Sequence, residues 1–81
     1  MPTVFRFGAY RVVICPNDHR PPHVHVVGNG HEAVFELRCP KGPVELRENY
    51  GFSRRDLAEI ASALDKNLEI LCEAWERIHG L

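Results

Sequence analysis

The sequence predicts an α+β fold: a small antiparallel β-meander of four to five strands, with one face packed on a long C-terminal α-helix. Three observations lead there. Two β-rich hairpin patterns fill residues 1–50. An apolar rhythm of alternating four- and three-residue steps runs from Leu57 to Ile78. Neither Gly nor Pro falls between Arg54 and His79, so residues 53–79 read as one helix. The 81 residues read as a single domain, since a chain this short buries only about 60% of its unfolded surface and has no room for a second core.

The first pattern, TVFRFGAYRVVIC, is two strands about Gly8-Ala9. Gly in the first central position suits a tight type II′ turn. PNDHRPP then interrupts: paired prolines favour an extended segment poor in ladder bonds, so this is a loop that feeds a new strand.

The second pattern, HVHVVGNGHEAVFEL, turns at Asn29-Gly30, a dipeptide suited to the positive φ that a type I′ turn demands at both positions. A two-residue turn there sets Gly28 against His31, Val26 against Ala33, His25 against Val34, Val24 against Phe35 and His23 against Glu36. Opposed residues share a face. One face is then Val24, Val26, Ala33, Phe35 and Leu37, a core; the other carries His23, His25, Glu32 and Glu36. A three-residue turn would mix the two sets, so the segregation favours the first register. CPKGP turns once more, and VELRE reads as a last short strand.

Ser53 is a good N-cap, with Asp56 three residues on, Phe52 placed to staple onto Leu57, and Gly80 at the end. The seam is Leu57, Ala61, Leu64, Leu68, Leu71, Trp75 and Ile78. One unbroken helix would be about 39 Å long, whereas a globule of this size is only about 30 Å across. Either the helix breaks near Asp65-Lys66-Asn67 or its far end packs on a second copy. Self-association as a homodimer is the preferred expectation.

Composition bounds the function. Hydrophobic residues at 44% and charged residues at 26% suit a globular chain. There is no apolar run long enough for a membrane span and no signal-peptide pattern at the start. Cys15, Cys39 and Cys72 fit no zinc spacing and read as reduced, with Cys15 and Cys72 as small buried hydrophobes; a cytoplasmic location follows. Residues 1–55 hold eight Lys/Arg against five Asp/Glu, and residues 56–81 two against six. A basic front and an acidic tail can steer a polyanion or order the packing of copies.

The chemistry concentrates in HRPPHVHV, residues 19–26. His23 and His25 lie two apart on a strand, about 6.6 Å along one face. With the cross-strand Glu36, or with His19 from around the prolines, they could hold a divalent transition metal, since two His and a carboxylate suit Zn, Ni, Cu or Fe(II). Alternatively His19, His23 and His25 are catalytic acid–base groups, with Arg20, Arg54 and Arg55 as phosphate clamps on RNA. Arg54 and Arg55 stand in the first helical turn, where cations oppose the macrodipole unless an anion is held there. The plain alternative is a solvated polar face. The run departs from the His-x-His-x-His of the histidine-triad nucleotide hydrolases, because Pro21 or Val27 stands where a third histidine would be.

MPTVFRFGAYRV, HRPPHVHV, ELRENYGFSRRDL and the closing helix with Trp75 together resemble the prokaryotic domain-of-unknown-function family numbered 4160. The resemblance implies no established activity. It implies a gene often beside that of a second small family, numbered 2442, as in toxin–antitoxin operons. The expectation is therefore a toxin-like component of a two-gene module, acting on RNA and paired with a cognate partner protein. The alternatives are a metal-binding module on His23, His25 and Glu36 or His19, and a non-catalytic adaptor that dimerises along the Leu57–Ile78 seam.

Overall fold

A computed structural model describes residues 3–80. Five strands, β1 (Thr3–Phe7), β2 (Tyr10–Val13), β3 (His23–Gly28), β4 (His31–Glu36) and β5 (Glu45–Tyr50), precede two helices, α1 (Arg54–Lys66) and α2 (Leu68–His79). The sheet order is β1-β2-β3-β4-β5 and every neighbouring pair is antiparallel. The α+β meander is thus as expected, with five strands.

Both hairpin turns form where the sequence places them. Phe7 opposes Tyr10 across Gly8-Ala9, with Gly8 at φ 53°. Asn29 and Gly30 take φ 53° and 78°, the signs a type I′ turn requires. The β3–β4 register runs from Gly28↔His31 to His23↔Glu36 without a slip, as the segregation of faces demanded. The sheet face bearing Val12, Val24, Val26, Ala33 and Phe35 is buried against Ile60, Leu64, Leu68, Leu71 and Trp75 of the helices. Strand β5 extends past the VELRE segment to Tyr50 and is exposed along its length. Its register shifts between Val34 and Phe35: these oppose Glu48 and Leu46, and Arg47 is left between as a bulge residue.

The single long helix is corrected to two. Asn67, at φ −118° and ψ 21°, ends α1, and its side-chain amide donates to the Ala63 carbonyl at 2.8 Å. Asn competes for backbone partners in this way, which is why it disrupts helix interiors. The two pieces, of 13 and 12 residues, are each about 20 Å long or less, well within the 35 Å longest extent of the fold. The seam expected to dimerise is this chain's own core: Leu64, Leu68, Leu71 and Trp75 are buried, and Leu57, Ala61 and Ile78 pack against them. The length mismatch behind the homodimer expectation is thereby removed.

The cysteine reading is corrected too. Cys39 and Cys72 are joined by a disulfide, and Cys15 is the free thiol. A tie across 33 positions stabilises a chain by about 3–4 kcal/mol in the loop-entropy account. Among the described residues no helix is long and apolar enough to cross a membrane.

Ser53 caps α1, its hydroxyl accepting from the Asp56 N–H at 3.1 Å. Ser53→Ala is expected to cost about 1 kcal/mol, a fall of roughly 4–8 °C in melting temperature by thermal unfolding.

Candidate functional site

His23 and His25 leave β3 on the side opposite Val24 and Val26, and at the start of the strand the His23 ring reaches Trp75 at the border of the core. His25 sits between Val13 of β2 and Val34 of β4, both buried, and its side chain is 23% exposed. His23, at the start of the strand, is only 7% exposed, with its ring 5.3 Å from that of Trp75. The plain alternative of a solvated polar face therefore does not hold for His23. The two rings stand edge to face at 5.5 Å.

The third member comes from the β2–β3 loop. A turn closed by the Asp18 N–H donating to the Cys15 carbonyl at 3.0 Å returns the chain toward β3. The His23 and His25 Nε2 atoms lie 3.0 and 2.9 Å from the same Asp18 oxygen, Oδ2. Each ring is anchored at its other nitrogen: Nδ1 of His23 donates to the Pro21 carbonyl at 2.9 Å, and Nδ1 of His25 to the Glu32 carboxylate at 3.0 Å.

These partners determine where the protons are. A carbonyl and an ionised carboxylate can only accept, so both Nδ1 atoms carry hydrogen. In neutral rings both Nε2 atoms then present lone pairs, and they face a carboxylate oxygen that presents more. Such a cluster is satisfied by a second proton on each ring or by one cation between the three atoms. One ligand atom from each of Asp18, His23 and His25 can be chosen so that all lie within 4.8 Å of one another.

The electrostatics follow the contacts. Burial pushes the Asp18 carboxyl up, but the hydrogen bond from His25 and the charges of both imidazoles outweigh it and hold Asp18 below its ordinary value. Burial likewise pulls His25 down, but bonds to Asp18 and Glu32, with their charges, raise it above its ordinary value. Asp18 stabilises the fold above its ordinary 3.8, and that contribution is lost as pH falls through its lowered pKa; His25 stabilises below its ordinary 6.5, and that is lost as pH rises through its raised pKa. Metal-free protein is therefore expected to be most stable between these two values and to weaken toward alkaline pH, as read by urea unfolding in chelator across pH. A metal ion would reverse the alkaline limb, because it competes with protons for the same nitrogens.

The other expected site residues separate. His19 and Arg20 line the same cavity of about 510 Å³ as Asp18, His23 and His25, together with Glu32, Arg47 and Tyr50. His19 is not among the three mutually close ligand positions. Glu36, expected as the carboxylate ligand, opposes His23 in register but turns to the Arg47 guanidinium at 3.8 Å. His25 opposes Val34, so its diagonal neighbours on β4 are Glu32 and Glu36, and its ring selects Glu32. Arg20 pairs with Glu76 at 3.5 Å. Arg54 and Arg55 are exposed at the start of α1 and do not line this cavity. Asp18 was hidden inside a stretch read only as a loop; its signal was an acidic residue five positions before His23.

The family model described as "Domain of unknown function (DUF4160)" matches residues 9–76 of the chain. No curated protein and no solved structure matches it.

Proposed function

The chain belongs to the DUF4160 family, and from that premise we propose that it is a metal-binding protein, holding one divalent transition ion through His23 Nε2, His25 Nε2 and an Asp18 carboxylate oxygen. What supports this most is the proton accounting: both Nδ1 atoms are committed as donors to acceptor-only partners, so that in neutral rings, the form a metal would bind, both Nε2 lone pairs face one carboxylate oxygen. Metal-ligating histidines are oriented in this way, with the second nitrogen donating to a carbonyl or carboxylate. Ligands of a tetrahedral Zn²⁺ at about 2.1 Å stand about 3.4 Å apart, so separations of 2.9 and 3.0 Å need only a small spread. Two imidazoles and one carboxylate suit Zn²⁺, Fe(II), Ni²⁺ or Cu²⁺ and leave coordination positions for water or a substrate. The three ligand residues line the same cavity as Arg20, Arg47 and Tyr50, which would give water or a substrate access to a bound ion.

The test is elemental analysis of protein purified without a histidine tag, followed by titration with Zn²⁺. About one equivalent of metal, removable by chelator and restored by Zn²⁺, is the expected result. Protein that is isolated metal-free and takes up none of Zn²⁺, Ni²⁺ or Co²⁺ overturns the reading.

A second reading keeps the same rings as imidazoliums that transfer protons in RNA cleavage, as the toxin-like half of a two-gene module held by a partner protein. The raised pKa of His25 and the presence of Arg20 at the cavity support it. Growth inhibition that survives the double change His23→Ala and His25→Ala would eliminate it.

A further inference from the structure

The disulfide occupies a particular place relative to this site. Cys39 is exposed and Cys72 half-buried, and both line a second cavity of about 820 Å³ whose other walls include Arg20, Pro21, Pro22 and Glu76. Helix α2 bears Cys72, Trp75 and Glu76 within little more than one turn, and each supports a different part of the histidine site. Cys72 is bonded to Cys39, the Trp75 ring lies 5.3 Å from His23, and the Glu76 carboxylate lies 3.5 Å from the Arg20 guanidinium. From the other side, the Leu37 N–H, two residues before Cys39, donates to the Pro22 carbonyl at 3.0 Å. The neighbouring Pro21 carbonyl accepts from His23 Nδ1.

These contacts close a ring: Cys39 to Leu37, to Pro22 and Pro21, to His23, to Trp75, and back to Cys72. Leu37 and Trp75 anchor this ring in the core, while Cys39, Cys72, Pro21 and Pro22 line the cavity, and the sulfur–sulfur bond is the covalent tie at its wall. An exposed disulfide of this kind is open to attack by a thiolate.

We propose that Cys39–Cys72 is a redox-active cross-link through which a dithiol reductant controls the metal site; the inference rests on the metal-binding reading above. A thiolate of the dithiol attacks the exposed Cys39 sulfur, the disulfide breaks, and Cys72 leaves as a thiolate that takes up a proton. The second thiol of the reductant, as thiolate, then attacks the mixed disulfide and releases Cys39. The products are two cysteine thiols and an oxidised, cyclised reductant, a transfer of two electrons and two protons. With the tie open, α2 is held only by its core packing and can shift against the β3 side of the cavity, the Trp75 ring no longer fixes His23 in its ligating orientation, and metal affinity falls.

The experiment uses the full chain carrying Cys15→Ser, so that the pair supplies the only thiols. One half is left oxidised. The other is reduced with a phosphine, alkylated with iodoacetamide and desalted, which removes any reductant able to bind metal. Both are titrated with Zn²⁺ against a chromophoric chelator, with far-ultraviolet circular dichroism as the check on fold. A Cys39→Ser/Cys72→Ser variant controls for the bulk of the alkyl groups. The expected result is folded reduced protein, in both forms, that binds Zn²⁺ at least about tenfold more weakly than oxidised protein, the lower end of what losing an outer-shell partner costs. Equal affinity in the oxidised and reduced forms overturns the switch and leaves the metal site standing. Absence of Zn²⁺ binding in the oxidised protein overturns the metal reading, and the switch with it. Unfolding of both the alkylated chain and the serine variant also overturns the switch, because no folded reduced state would exist to release metal.

Discussion

Asp18→Asn is expected to reduce Zn²⁺ affinity more than 100-fold while the fold survives. The change removes the anionic ligand from a three-residue set, a larger loss than the 10–100-fold typical of outer-shell partners. It also removes the carboxylate that pairs with His25 in the metal-free chain, which the new amide replaces only in part by donating to an Nε2 lone pair. Two losses are therefore expected together: weak Zn²⁺ binding by chelator competition, and a melting temperature in chelator below that of the unchanged chain between about pH 4 and 6.5, with the cooperative transition retained. Glu32→Gln, which leaves the ligands in place and weakens the acceptor for His25 Nδ1, is expected to cost 10–100-fold. Glu36→Gln is expected to leave affinity unchanged, because Glu36 faces Arg47 rather than the histidines. A large loss from Glu36→Gln together with none from Asp18→Asn would restore the cross-strand carboxylate and refute the site described above.

Trp75→Ala is the change expected to damage the fold most. Trp75 is fully buried, lies 3.7 Å from the His79 ring in a stack, and packs on His23. Truncating a buried aromatic of this size costs about 3–5 kcal/mol, at least about 12 °C in melting temperature for a domain this small. A chain of this length has a total stability on the order of 4–12 kcal/mol, so the variant is expected to be unfolded or nearly so at 37 °C. Because Trp75 also backs His23, metal and packing are linked: Zn²⁺ at 100 times its Kd would return about 2.7 kcal/mol through mass action. Denaturant melts with and without Zn²⁺ test both claims. A fully cooperative, wild-type-like transition for Trp75→Ala would contradict the packing described.

The difference between Asp18 and Glu36 illustrates how far a sequence can be read. Glu36 was legible as a neighbour of His23 because strand register is local: once Asn29-Gly30 sets the turn, every opposed pair follows. Which carboxylate a ring takes is not local. His25 had two diagonal acids on β4, and the proximity of Arg47 to Glu36 followed from a bulge in β5 that no dipeptide announces. Asp18 reached the histidines because its loop folds back over the start of β3. The helix break was one of two ways to resolve a length mismatch, and Asn67 resolved it through a bond to Ala63 that competes with the regular helix. The pairing of Cys39 with Cys72 joins segments that nothing in their spacing relates.

By itself, then, the sequence determined an antiparallel meander of four or five strands, its central register, the core face and the presence of two strand histidines opposite that face. Each depends on backbone dihedral demands and apolar periodicity between residues near one another along the chain. Only tertiary structure decided that Asp18 rather than Glu36 meets those histidines, that Trp75 shields one of them, and that a disulfide braces the support. Those outcomes depend on where separate segments arrive in space, which is set by how the helices close on the sheet and how the β2–β3 loop folds back, and no short-range pattern encodes it.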